Sequence, residues 1–172
     1  NSKLSDTPFT QEPKLLKTFN NHANLSTEVM FDPKIQKTFL RMALNFNSKS
    51  SLYKILKKAL LLVRHRFQWH LEIYRIQLKG TTSFEILCEY GYGSLGAFIE
   101  FRKFSNKEWS LDEVSTIIHF ICPGLNFLDG PSVKSKDFLD DIIILDSGDI
   151  KINLIPYLDD IREENLKSTI VS

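Results

Sequence analysis

Cysteine is almost missing from this sequence: Cys88 and Cys122 are its only two. Two thiols make no disulfide framework, and both read as reduced core residues of an intracellular protein. No apolar run approaches the roughly 20 residues of a membrane span, the longest candidate being ALLLV inside a basic helix. The first residues carry neither a basic n-region nor an apolar h-region, so no secretion signal is expected. The four histidines, His22, His65, His70 and His119, never fall into ligand spacing with each other or with the cysteines, which argues against zinc. No serine sits in G-x-S-x-G, and no V-A-I-K, H-R-D or D-F-G segment is present. Acyl transfer and phosphoryl transfer therefore have no visible machinery, and no cofactor is expected.

Acidic residues are also scarce, but only in the middle. From Lys34 to Trp109 there are fourteen Lys and Arg against five Asp and Glu, a net of +9. Residues 110 to 172 carry five against twelve, so a whole chain of net charge +1 hides two opposed parts. Such segregation speaks of partners rather than of fold.

The basic region alternates strand and helix patterns. FLRMALNF reads as a strand ending in a polar cluster, where Ser48 or Ser50 offers an N-cap. Leu52, Ile55, Leu56, Ala59, Leu60 and Val63 then fall at helical spacing. Lys54, Lys57, Lys58, Leu61 and Arg64 take another face, and Arg66 follows the end. WHLEIYRIQL, TTSFEILCEY and GAFIEFRKF alternate as three strands, the first pair joined at Lys79-Gly80. The last helix, SLDEVSTIIHFI, places Asp112 and Glu113 in its first turn and stops at Pro123-Gly124. The fold expected is α+β: an antiparallel four-stranded sheet with two helices on one face, in the order β-α-β-β-β-α. An N-terminal linker or docking arm (1–33) precedes this domain (34–129), and an acidic C-terminal extension (130–172) follows it. Leu15, Leu16 and Phe19 in the arm could equally dock or be solvated.

Gly91, Gly93 and Gly96 match G-x-G-x-x-G, the pattern of a phosphate-binding turn. A dinucleotide site needs those glycines to open a helix, whereas a strand is expected next, so a glycine-tolerant hairpin is the better reading. What remains is the basic surface. Lys54, Lys57, Lys58, Arg64, Arg66, Lys79, Arg102 and Lys103 could converge on one anionic ligand. Each such charge is worth about 1 kcal/mol near an anionic leaflet, and the same charges would serve nucleic-acid phosphates.

The run Gly96-Ala97-Phe98-Ile99-Glu100-Phe101-Arg102-Lys103-Phe104-Ser105, with Trp109 before the last helix and SFEILCEY as the strand ahead of it, resembles the kinase-associated-1 (KA1) domain. The resemblance covers residues 39 to 121. Asn106 stands where that family commonly has glycine, and the chain continues past the family's last helix. The resemblance implies a non-catalytic regulatory module of a Ser/Thr protein kinase, peripheral at membranes in the cytoplasm, with the nucleus as the other compartment. It would bind anionic phospholipid through Lys54, Lys57, Lys58, Arg102 and Lys103, and restrain the kinase domain of the same chain. Two rival readings stay open: an RWD-like protein-interaction scaffold with partner contacts in 1–33 or 130–172, and nucleic-acid binding by the same cations.

Overall fold

The computed structural model describes residues 12–128 and 136–168. Its first half is a five-stranded antiparallel sheet in the order β1-β2-β3-β5-β4, formed by β1 (Lys14–His22), β2 (Leu25–Asp32), β3 (Lys37–Asn45), β4 (Ile73–Leu78) and β5 (Ser83–Glu89). The α+β class is as expected, but the sheet gains two strands, β1 and β2, ahead of the expected four and lacks the last of those four. Residues 14–32 are strands rather than a linker. Leu25, Val29 and Met30 are buried and β2 pairs along its whole length with β3. Asp32 shapes the following turn by accepting a hydrogen bond from the Lys34 N–H at 2.9 Å, and Gln36 adopts φ 52°.

Alternation decides the two faces of the sheet. Leu40, Met42 and Leu44 of β3 lie opposite Cys88, Ile86 and Phe84 of β5, and all six are buried. They share one core with Leu52, Ile55, Ala59 and Leu62 of α1 (Lys49–His65). Ser48 caps this helix by accepting from the Ser51 N–H, and Arg66 closes it in the left-handed conformation with its N–H on the Leu62 carbonyl.

The expected third strand is a helix. After a two-residue β6 (Gly93–Ser94), the chain enters α2 (Leu95–Phe104), capped by Ser94 Oγ on the Ala97 N–H at 3.1 Å. Helix α3 (Leu111–Leu125) begins at a capping box of Ser110 and Glu113 and runs through Pro123-Gly124 instead of stopping there. Gly124 is buried because α3 lies on Trp69 and Ile152: a Cβ there would sit 2.7 Å from Trp69 Cε3 and 2.8 Å from Ile152 Cδ1. Cys122, two residues earlier and so on the opposite side of the helix, is exposed, unlike the buried Cys88.

The acidic C-terminal region is core, not an appendage, over its described part. A short 3-10 helix (Lys136–Asp141) leads into the hairpin β7 (Ile142–Ile144) and β8 (Ile150–Ile152), and β7 pairs with β6. Ile142, Ile152, Leu154, Ile155, Leu158, Ile161 and Leu166 are all buried, the last on α4 (Glu163–Ser168), which packs on α1. Asp137, Asp146, Asp149, Asp159, Asp160 and Glu164 lie between these apolar residues and are exposed, whereas Asp140 and Asp141 turn inward; composition alone reads the whole segment as solvated. The boundary expected between the domain and its extension, at 129/130, lies outside the described residues.

One short segment joins the two sheets. The Leu71 N–H donates to Ile152 O at 3.2 Å, and the Ile152 N–H donates to Trp69 O at 2.8 Å. Between them His70 is fully enclosed, its Nδ1 2.7 Å from Leu71 O and its Nε2 accepting the Leu154 N–H at 3.0 Å. An N–H can only donate, so Nε2 carries no proton and the imidazole is the neutral Nδ1–H form. Burial lowers its pKa to about 4.

Two outcomes follow from this joint. A group whose folded pKa is depressed stabilises the fold fully above its unfolded pKa of 6.5, and that stability is lost as pH falls toward 4. Between pH 7.5 and 5 the wild type should lose about 2 kcal/mol more than His70→Gln in urea unfolding; equal losses would remove His70 from the account. Gly124→Ala gains about 1 kcal/mol of helix propensity but meets Trp69, which is stacked on Phe67 and Phe127 and has nowhere to go. Its urea midpoint should therefore fall, whereas a raised midpoint would show that α3 does not lie against Trp69.

Candidate anion-docking face

Helix α1 contains five Lys and Arg and no carboxylate in seventeen residues. Residues three or four apart share a helix face, so Lys49, Tyr53, Lys57, Leu60 and Arg64 form one continuous outer stripe. All five are exposed, Tyr53 and Leu60 to about half their surface (54% and 50%), and the three cations make no ion pair among the described residues. The stripe thus alternates charge with accessible apolar surface. Arg64 and His65 in the last turn also suit the helix dipole.

The eight cations singled out from sequence do not form one patch. Lys54, Lys57, Arg64 and Arg66 are exposed along α1 or at its end, and Lys79 is exposed at the β4–β5 turn beside Gly80, which has φ 110°. Lys58 is 4% exposed and its ammonium donates to Leu158 O at 2.7 Å, directed into the protein rather than at a ligand. Burial lowers its pKa and nearby Lys54 adds to the effect, while Asp159, Glu163 and Asp160 oppose it. The acidic segment therefore does meet the basic helix, but on the inner side and through a backbone carbonyl.

Arg102 is also committed. Its guanidinium forks onto both carboxylate oxygens of Glu113, at 2.8 and 2.5 Å, donates to Glu108 O at 3.0 Å, and lies 4.1 Å from the Trp109 ring centre. Its side chain is 12% exposed. The Arg102 bond holds Glu113 down to a pKa of about 2. Lys103 is exposed on α2 and bonds Glu100 at 3.2 Å. Both residues sit on a helix that packs against the β6–β7 side of the molecule rather than ending a strand; Arg102 fastens α2 to α3, and Lys103 pairs within α2.

Two of the three glycines have packing roles. A Cβ at Gly91 would fall 2.3 Å from Ile144 O, and one at Gly96 would fall 2.6 Å from Asp140 Oδ1. They do open a helix, contrary to the expectation from sequence. The N-terminus of α2 is already served by an internal carboxylate, since Ser94 Oγ lies 3.4 Å from Asp140 Oδ1. A phosphate arriving there would have to displace Asp140.

From sequence, Leu60 counts in the apolar stripe and neither Lys49 nor Tyr53 is singled out. Spacing could have found them: positions 49, 53, 57, 60 and 64 repeat at 4, 4, 3 and 4. A second exposed surface was missed altogether. Phe98, Phe101 and Phe104 of α2 and Leu111, Val114 and Ile118 of α3 are exposed, Phe104 to 90% and Leu111 to 81%. Among the described residues no helix is long and apolar enough to cross a membrane. A scan against protein-family models finds no match for this chain, and a search of curated proteins finds none either.

Proposed function

We propose that this chain is a non-catalytic docking module that lays the outer face of α1 on an anionic phospholipid surface. The observation that carries the reading is the Lys49-Tyr53-Lys57-Leu60-Arg64 stripe, cationic, partly apolar and free of acidic neighbours along its helix. At about 1 kcal/mol for each cation near the leaflet, Lys49, Lys57 and Arg64 with Lys54 and Arg66 give about 5 kcal/mol. That corresponds to a dissociation constant of about 0.2 mM and falls with added salt. Attachment of this strength needs a second signal, which suits a regulatory module attached to a larger protein.

The absence of chemistry from the proposal is supported residue by residue. A protein kinase covers its nucleotide with a glycine-rich loop, holds the phosphates with a lysine of its third strand and pairs that lysine with a glutamate of helix αC. Here too a helix joins the third and fourth strands of an antiparallel sheet, an analogy of layout only. The β1–β2 turn is Ala23-Asn24, without glycine. The inward residues of β3 are Leu40, Met42 and Leu44, and α1 has no glutamate to offer. Asn153 donates to Met42 Sδ at 3.3 Å in the buried interior. These residues suit a packed core and supply none of the charges that phosphoryl transfer requires.

The exposed Phe and Leu residues of α2 and α3 favour a second reading, a protein-interaction scaffold, because contiguous apolar surface on a small domain marks an interface.

Vesicle cosedimentation separates the two. The protein should pellet with phosphatidylserine vesicles and not with pure phosphatidylcholine, and release as salt is raised. Lys57→Glu with Arg64→Glu should lower the pelleted fraction at least about tenfold, since each reversal removes one attraction and adds a repulsion. Lys58→Met and Phe101→Ser with Phe104→Ser should leave it unchanged. Equal pelleting on both lipids would overturn the membrane reading, and loss of binding only in the Phe101/Phe104 variant would move the docking face to α2 and α3.

A further inference from the structure

The β1–β2 hairpin is held at its turn by residues more than a hundred positions away. His22, the last residue of β1, points its Nε2 at Asp141 Oδ2 across 3.4 Å, and its ring meets Tyr157 edge-on with centres 5.6 Å apart. Tyr157 donates its hydroxyl to the same Asp141 oxygen at 2.5 Å. Asp141 ends the 3-10 helix before β7, and Tyr157 lies in the short turn after β8. The three side chains therefore tie the first sheet to the segments that flank the β7–β8 hairpin. Behind them is a narrow crevice lined by Phe19, Thr27, Leu40, Asp140 and Asn153.

We propose that His22, Asp141 and Tyr157 form a latch closing the end of the β1–β2 hairpin over this crevice, and that loss of the His22 proton releases it. Among the described residues the charged groups facing His22 are acidic: Asp141 in direct contact, and Asp137 on the same 3-10 helix. Asp140 adds to the negative field at Asp141, and Tyr157 is neutral, its hydroxyl pKa pushed up chiefly by burial. A protonated imidazole completes this group. A neutral one leaves the half-buried carboxylate of Asp141 with only the tyrosine hydroxyl and a weaker imidazole bond. The Asp141 bond raises the His22 pKa above 6.5 despite the opposing effect of burial. A raised histidine pKa stabilises the closed form fully below the unfolded value and withdraws that stability as pH rises through the folded one. On the acid side the latch fails when Asp141 takes a proton, which burial brings above the ordinary carboxylate value. The latch is thus tightest between the two titrations.

Hydrogen exchange of the full chain, corrected for the intrinsic pH dependence of amide exchange, reads the latch directly. Protection of peptides covering residues 14–32 should fall severalfold between pH 6.5 and pH 9, as a charge-assisted bond gives way to a neutral one. Peptides from α1 and β5 should not change. His22→Gln should show low hairpin protection without pH dependence, and Tyr157→Phe should show an intermediate loss. In the wild type, a histidine resonance assigned to His22 should titrate above 6.5 together with the hairpin amides. Constant hairpin protection across this range, a wild-type profile in His22→Gln, or a His22 titration at or below 6.5 would each overturn the latch.

Discussion

A buried, uncharged imidazole is what allows two small sheets to share one core. His70 sits where the approach to β4 crosses β8, and its two nitrogens serve Leu71 O and the Leu154 N–H. Either bond alone would leave a buried polar group unmet at about 1–3 kcal/mol. Around it the backbone of Trp69 and Leu71 bonds to Ile152, and Trp69 stacks with Phe67 and Phe127. Gly124 lets α3 reach this stack, so the second helical layer depends on the same crossing. The core would otherwise divide into two pieces too small to be stable alone.

The charges of the chain are arranged around this framework in three ways. Some are internal fasteners: Lys58 on Leu158 O, Arg102 on Glu113, Lys151 on Glu89 at 2.7 Å, and Asp140 at the start of α2. Others pair on the outer face of the sheet, as Arg41 does with Glu28. What is left on α1 is a stripe of cations with nothing acidic along the helix. A net charge of +9 in the central region therefore overstates the free positive surface, because its most distinctive members are spent on holding elements together.

Local pattern was a good guide where an element is stabilised by its own face. Helix α1 was legible in its extent and in Leu52, Ile55 and Ala59, with Ser48 one of two caps offered, but the core takes Leu62 while Leu60, counted in the apolar stripe, is exposed. Strands β3 and β5 were legible for the same reason, with alternation that matches their burial. The stretch from Gly96 to Phe104 was not, because Phe98, Phe101 and Phe104 repeat at three while neighbouring residues alternate at two. Ser94 and the Arg102–Glu113 fork settle it as helix, and the second of these is a contact between elements. Residues 14–32 were misjudged because Pro13 and Pro33 flank them and Asn, Ser and Thr interrupt their pattern, and the acidic end because carboxylates separate its apolar runs, although Leu25, Val29, Ile152, Leu154 and Leu158 are buried. Of the candidate site, the basic character of α1 was legible; which cations face outward depended on packing that no local pattern records.

The most direct test of the framework is the tautomer and charge of His70, read from the long-range proton–nitrogen correlations of its ring. The structure requires the Nδ1–H form, with Nε2 as acceptor from Leu154, unchanged from pH 8 to pH 5. A His70 ring that carries its proton on Nε2, or that becomes charged near the ordinary histidine pKa of 6.5, would contradict the crossing on which the two sheets depend.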